Sequence, residues 1–370
     1  VNRESGSVQP DAVICTVHIT STAIIAMPSV PFGTWEKRWH PLRREWVVYA
    51  AHRNNRPWNF DIKESSRPSP AYDPNCYLCP GNTRVSGKKN PDDYEVFIFD
   101  NDHPVVGLES PEIPEWAEEL HHGLYKREKA NGIARVVCYD PRHNVTLNDV
   151  SVDHVATVFK ALREEMIYFK NHPAIRSVLI FENKGEIVGV SNPHPHCQIY
   201  ASDFVFNVFN KELEAMREHA NTKGSNIFSD IIHAEQKDEM RILAENKGAI
   251  AFIPFFARFA YETYIFPKQA HTTLISMSDD ELYDLAAVFQ TVTKKFDANF
   301  KSSFPYILAF AQAPVDDGNY EGYHMHLIIC PPLRQPGLPK FLAGPETGAD
   351  TFMADTMPEE KAAELRKIIL

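Results

Sequence analysis

The chain has 370 residues, 44% of them hydrophobic and 24% charged, with a formal net charge of −11. That balance describes a globular protein long enough for two or three folding units around a large core. The acidic excess argues against a nucleic-acid-binding surface, and the sequence has no run of 18 apolar residues that would span a bilayer.

Residues 1–33 read as an N-terminal extension. Its apolar stretch Val13–Met27 is broken by Thr16, His18, Thr20, Ser21 and Thr22, which makes it too polar for a targeting segment. Arg38–Ala50 reads as a turn and a strand, His52–Trp58 as a basic loop, and 61–75 as an exposed Ser/Pro/Lys/Asp connector. Cys76-x-x-Cys79, followed by Pro80-Gly81, reads as a knuckle. Six cysteines in so long a chain do not make a disulfide framework, so the pair points to metal or redox chemistry in a reducing, cytoplasmic setting. Strands are expected at 96–99 and 132–139. Ser151 is a candidate N-cap for a helix over 152–171, whose Val155, Val158, Phe159, Leu162, Met166 and Phe169 recur at helical spacing. A strand at 178–181 then gives way to a loop, Glu182–Ser191, carrying Gly185 and Gly189.

The chain is organised around Asn192–Tyr200. Period two places His194, His196, Gln198 and Tyr200 on one face and turns the Cys197 thiol to the other, where packing is expected. Pro193 and Pro195 remove backbone donors, so the stretch is an edge strand or a strand that begins near Pro195. The second half repeats the plan. His271 precedes a capping-box spacing at Ser278–Glu281 and a helix over 279–300, then come a strand at 306–310 and a second His-x-His at His324 and His326. His143 to His194 spans 51 positions and His271 to His324 spans 53. Two copies of one α+β unit joined in a continuous sheet are inferred.

Cys76, Cys79, His143 and His194 have the residue types of a closed Cys2His2 site for zinc, with iron as a substitute. His196 is then free, and a neutral imidazole can attack phosphorus. Gln198 could donate amide protons to a phosphoryl oxygen. Gly185 and Gly189 would let backbone N–H groups approach phosphates, and Lys184, Arg53 and Arg56 could supply positive charge.

Through Arg38–Trp58, Cys76–Asn82, Phe99–Asp102, Phe181–Gly185, Ser191–Tyr200, Ser303–Tyr306, His324–Pro332 and Lys340–Glu346, the sequence resembles the galactose-1-phosphate uridylyltransferase family, the transferase branch of the histidine-triad superfamily. The resemblance implies an α+β fold of two fused histidine-triad-like halves, 34–205 and 206–370, with mainly antiparallel sheet and flanking helices. It also implies a homodimer acting on a nucleotide sugar and a sugar 1-phosphate, with no nucleic-acid or membrane partner. The implied reaction is ping-pong: His196 attacks UDP-glucose, carries UMP and passes it to a hexose 1-phosphate. Gln198, Asn183 and Ser191 would contact the phosphoryl group, and Asn101 the uridine. Arg53 and Arg56 would reach a site from the neighbouring subunit, and Lys340, Phe341 and Glu346 would contact the sugar. The same resemblance supports Cys76, Cys79, His143 and His194 as zinc ligands. His324, His326 and Glu212 match ligands of a second family metal site, but Ala311 stands where its other histidine is expected, so that site is expected to be empty. Pro345 replaces a sugar-contacting Tyr. A related group, the ADP-sugar phosphorylases, would use the same histidine with inorganic phosphate as acceptor.

Overall fold

The computed structural model describes residues 35–50, 70–109, 112–115, 119–190 and 192–370. Its strands are β1 (Trp35–His40), β2 (Glu45–Ala50), β3 (Phe97–Asp100), β4 (Glu119–Leu120), β5 (Tyr125–Lys126), β6 (Gly132–Cys138), β7 (Ser177–Lys184), β8 (His196–Ser202), β9 (Ile242–Glu245), β10 (Ala249–Phe252), β11 (Thr263–Pro267), β12 (Tyr306–Ala311), β13 (His326–Cys330), β14 (Leu333–Gln335), β15 (Leu338–Pro339) and β16 (Met353–Ala354). The α-helices of the described residues are α1 (Val152–Lys170), α2 (Asn207–Lys223), α3 (Ile227–Asp238), α4 (Asp279–Phe300) and α5 (Pro358–Arg366). The readings made for 1–33, for His52–Trp58 and for most of 61–75 lie outside the described residues, as do Arg53, Arg56 and Ser191.

Nine strands form one antiparallel sheet in the order β3-β6-β8-β7-β12-β13-β11-β10-β9. The order reads alike from either side of the β7–β12 pair. β8 matches β13, β6 matches β11 and β3 matches β10, while α1 links β6 to β7 as α4 links β11 to β12. The architecture is α+β. Both linking helices start where the sequence places a cap. Ser151 Oγ accepts from His154 N at 3.2 Å, and Ser278 and Glu281 close a reciprocal capping box. α1 and α4 bury Val155, Phe159, Leu162 and Met166, and Leu285, Phe289 and Phe296, against one sheet face. On the other face α2 and α3 cover only the second half, through Phe209, Leu213, Phe228 and Ile232. The first half of that face carries His196, Gln198 and Tyr200, which are only half-buried.

Several expectations need correction. β7 runs to Lys184, so Glu182 is a buried strand residue and not part of a loop; it accepts hydrogen bonds from Tyr139 and, at 3.1 Å, from Tyr306. Lys184 shares that inner face, pairs with Asp297 at 3.4 Å and lies over the Tyr306 ring, so it faces away from His196. Gly185 ends the strand at φ +99°, where a Cβ would meet Pro305 Cβ at 2.8 Å, so only glycine fits without a shift. Of the two alternatives for Asn192–Tyr200, the strand beginning near Pro195 holds: β8 starts at His196 and is flanked on both sides. β13 likewise starts at His326, leaving Tyr323–Met325 ahead of it.

Candidate active site

Cys76, Cys79, His143 and His194 are all buried, and one ligand atom from each lies within 4.8 Å of the others. Cys79 Sγ is 3.5 Å from His143 Nδ1 and 3.6 Å from His194 Nδ1. A tetrahedral ion with metal–sulfur and metal–nitrogen bonds of roughly 2.3 and 2.05 Å would set such edges at about 3.6 Å. The loop is braced by two buried or half-buried amides. Asn82 Nδ2 donates to the Asp73 and Cys76 carbonyls at 3.0 and 2.8 Å, and Asn90 Nδ2 to those of Tyr77 and Cys79 at 2.9 and 3.0 Å.

Donors also converge on the sulfurs. The His194 N–H donates to Asn192 Oδ1 at 2.9 Å, which turns Asn192 Nδ2 to Cys76 Sγ at 3.3 Å. Leu78 N reaches the same sulfur at 3.4 Å, and Asp73 N reaches Cys79 Sγ at 3.5 Å. Donors of this kind suit thiolates. With no cation present, burial pushes the Cys79 thiol up to about 11 and His194 down to about 4. The donor set therefore fits a soft divalent metal held by these four side chains. His194 Nε2 lies 2.9 Å from Tyr94 Oη, and that hydroxyl lies 3.4 Å from the Leu78 and Asp140 carbonyls. A ring that donates Nε2–H to Tyr94 keeps its Nδ1 lone pair for the cluster. Nothing in the spacing of Tyr94, Asn82, Asn90 or Asn192 marks these roles.

His196 stands next. Its Nδ1 is 2.8 Å from the His194 carbonyl, an acceptor, so Nδ1 carries the proton and Nε2 the lone pair. Burial lowers its pKa, partly offset by that carbonyl. Gln198 Oε1 accepts from Tyr200 Oη at 3.2 Å and from Asn101 Nδ2 at 3.4 Å. The β7–β8 register pairs Phe181 with Gln198, and its continuation brings Asn183 level with His196 on the same face. Cys197 points the other way into the helix-covered core, as period two requires. Gly189 N donates to the Glu186 carbonyl at 2.9 Å, so that N–H is used within its own turn.

The remaining described candidates bond elsewhere. Lys340 Nζ pairs with Glu346 and donates to the Met353 carbonyl at 2.8 Å, while Phe341 is exposed. In the second half, His326 Nδ1 repeats the clamp, 2.9 Å from the His324 carbonyl. Its Nε2 lies 3.8 Å from Glu212 Oε1, and both atoms are buried without a hydrogen bond. Across β12–β13 the partner of His326 is Ala311. His324 Nε2 donates to the Pro267 carbonyl at 2.8 Å, and His271 bonds Ser276 and Glu281. Among the described residues the Cys2His2 group alone gathers three or more such ligands.

A doubled antiparallel α+β sheet, with a half-buried imidazole and amide beside a buried Cys2His2 cluster, defines an α+β class with a histidine-centred site. Within it, residues 32–205 match the model of the galactose-1-phosphate uridyl transferase N-terminal domain, and 212–369 that of its C-terminal domain. The chain belongs to the galactose-1-phosphate uridylyltransferase family. It is 34% identical over 334 residues to the Haemophilus influenzae galactose-1-phosphate uridylyltransferase, covering 90% of this chain and 94% of that one. It is 33% identical over 337 residues to the Rattus norvegicus protein of the same name, covering 89% of this chain and 86% of that one. A solved uridylyltransferase structure superposes with TM-score 0.72 at 29% identity, covering 90% of this chain and 97% of that one. An ADP-glucose phosphorylase from Arabidopsis thaliana reaches the same TM-score at 20% identity, covering 91% and 99%, a likeness of fold. No helix of the described residues is long and apolar enough to cross a membrane.

Proposed function

We propose that this chain transfers a uridylyl group from UDP-glucose to a hexose 1-phosphate, galactose 1-phosphate foremost, through a covalent adduct on His196. The observation that carries this reading is the clamp of His196 Nδ1 on the His194 carbonyl at 2.8 Å, which leaves Nε2 as the nucleophile. Burial keeps the ring neutral at pH 7. Nε2 attacks the α-phosphorus, the N–P bond forms, and the bond to the bridging oxygen breaks with glucose 1-phosphate leaving. A phosphate oxygen of the second sugar phosphate then attacks the same phosphorus, and the N–P bond breaks to restore the imidazole. Gln198 donates its amide protons to the phosphoryl oxygen as charge develops. Asn183 and Ser191 contact the same group, and Asn101 the uridine. Arg53 and Arg56 serve a neighbouring subunit of a homodimer. Lys340, Phe341 and Glu346 meet the sugar once the Lys340–Glu346 pair opens.

Cys76, Cys79, His143 and His194 would hold zinc, or iron in its place, as a closed structural site that braces the strand carrying His196. No second metal is proposed, because Ala311 presents a methyl group opposite His326. The halves divide at 205/206. The described cysteines are all free, which supports a reducing, cytoplasmic compartment.

The test is incubation with UDP-glucose and ADP-glucose, each labelled in the α-phosphate. An acid-labile uridylyl-protein adduct that is discharged by galactose 1-phosphate, and that His196→Gly abolishes, is the expected result. An adenylyl adduct discharged by inorganic phosphate would replace this reading with the phosphorylase. No adduct from either nucleotide would remove the covalent mechanism.

A further inference from the structure

We infer that Asn101 and Tyr200 are positioning residues that set which end of the Gln198 amide faces the phosphoryl group. The inference rests on the role proposed for Gln198 and explains how that role is enforced. An amide side chain has an acceptor end and a donor end of nearly equal size, so its orientation is fixed only by its partners. Here the orientation follows from a backbone group whose polarity cannot change. The His103 N–H can only donate, and it lies 2.8 Å from Asn101 Oδ1. Asn101 must therefore turn Nδ2 to its other neighbour, Gln198, at 3.4 Å. Gln198 must answer with its oxygen. The Tyr200 hydroxyl, which can donate or accept, meets the same oxygen as a donor at 3.2 Å, from the same strand face two residues on. With both contacts on Oε1, the Gln198 NH2 is turned to the open side, on the face that carries His196.

The base of the relay is itself fixed, since Asn101 N donates to the Ala134 carbonyl of β6 at 2.8 Å. Asn101 Nδ2 has a second proton, so a uridine contact and this relay are compatible. The arrangement presents two donors without reorientation at the moment charge develops, which is the condition for oxyanion-type stabilisation. An unpinned amide would spend part of its time with the oxygen facing the phosphoryl group, where it repels.

The test is a double-mutant cycle between the pair Asn101→Ala/Tyr200→Phe and Gln198→Ala. Uridylyl transfer is read as kcat and KM, and calorimetric binding of UMP is read in parallel. In the native background the pair should lower kcat about 10-fold, the scale of losing two neutral hydrogen bonds, with a rise in KM for UDP-glucose only as large as the lost Asn101 uridine contact. In the Gln198→Ala background the same pair should change kcat by less than about 2-fold and should weaken UMP binding only by the share that the Asn101 uridine contact supplies, less than in the native background. Multiplicative effects, or a loss confined to KM, would overturn the inference and leave Asn101 as a nucleoside contact alone. Absence of transfer by the unaltered protein would instead defeat the proposed function; the UMP-binding cycle would still decide this inference.

Discussion

Tyr94→Phe isolates the hydroxyl that holds His194. The substitution keeps the ring, which packs 5.5 Å from that of Phe97, and deletes only the group 2.9 Å from His194 Nε2. The carbonyls of Leu78 and Asp140 lose a distant partner at 3.4 Å, a minor term beside the imidazole bond. Removing such an outer partner of a metal-ligating histidine typically costs 10- to 100-fold in affinity, about 1.4–2.7 kcal/mol. The four ligands come from positions 76 to 194 and converge only in the folded chain, so at excess metal the lost affinity appears as lost stability. With an unfolding entropy near 0.8 kcal/mol/K for a chain of this size, Tm should fall by about 2–3 °C. The assay is chelator competition with a zinc-sensitive dye, paired with thermal unfolding at fixed metal. Affinity within about 2-fold of the native protein would refute the claim that Tyr94 orients His194.

Replacing Cys197 with Ala should leave transfer within about 2-fold and cost about 1 kcal/mol, because the thiol fills space in the helix-covered core; loss of activity with normal folding would give the thiol a chemical role. His196→Gly should eliminate the phospho-adduct while far-UV dichroism and metal content stay native, and a surviving adduct would move the nucleophile elsewhere. Stability should fall on acidification. Burial holds His324 and His326 down to about 4, so between pH 6.5 and 4.5 the unfolded chain binds two protons that the folded chain refuses. Glu212, raised by burial to about 7, works the opposite way, with the folded form holding a proton that the unfolded form releases. For these three groups the net is one proton favouring unfolding, a loss of about 1.4 kcal/mol per pH unit. Urea midpoints at pH 7, 6 and 5 measure this, and a flat series would reject the burial of these imidazoles in neutral form.

The elements legible in the sequence are those whose signals are local. Ser151 and Ser278 announce α1 and α4 because a cap and a periodic apolar stripe lie within a few residues of each other. The cluster at 76, 79, 143 and 194 is legible because the chemistry of its residue types is narrow. α2 escaped because its buried side is a thin stripe of Phe209, Leu213 and Met216 in a largely polar helix. Glu182 and Lys184 looked like loop residues because a buried charge is visible only through its partners, and Tyr139, Tyr306 and Asp297 are distant in sequence. Polarity relays such as His103–Asn101–Gln198 are illegible for the same reason. They depend on which atom meets which, not on residue type.

The β7–β12 ladder, paired from Ile180 with Phe310 to Lys184 with Tyr306, joins the two halves edge to edge. A seam of this kind does not act as a hinge, since swinging one half against the other would tear main-chain bonds in the middle of the sheet. In the proposed transfer, two different sugar phosphates would be accommodated by segments outside this ladder, such as 185–190 and 340–352. Exchange of one sugar phosphate for the next in the proposed reaction would then be governed by local rearrangement while the frame bearing His196 stays still.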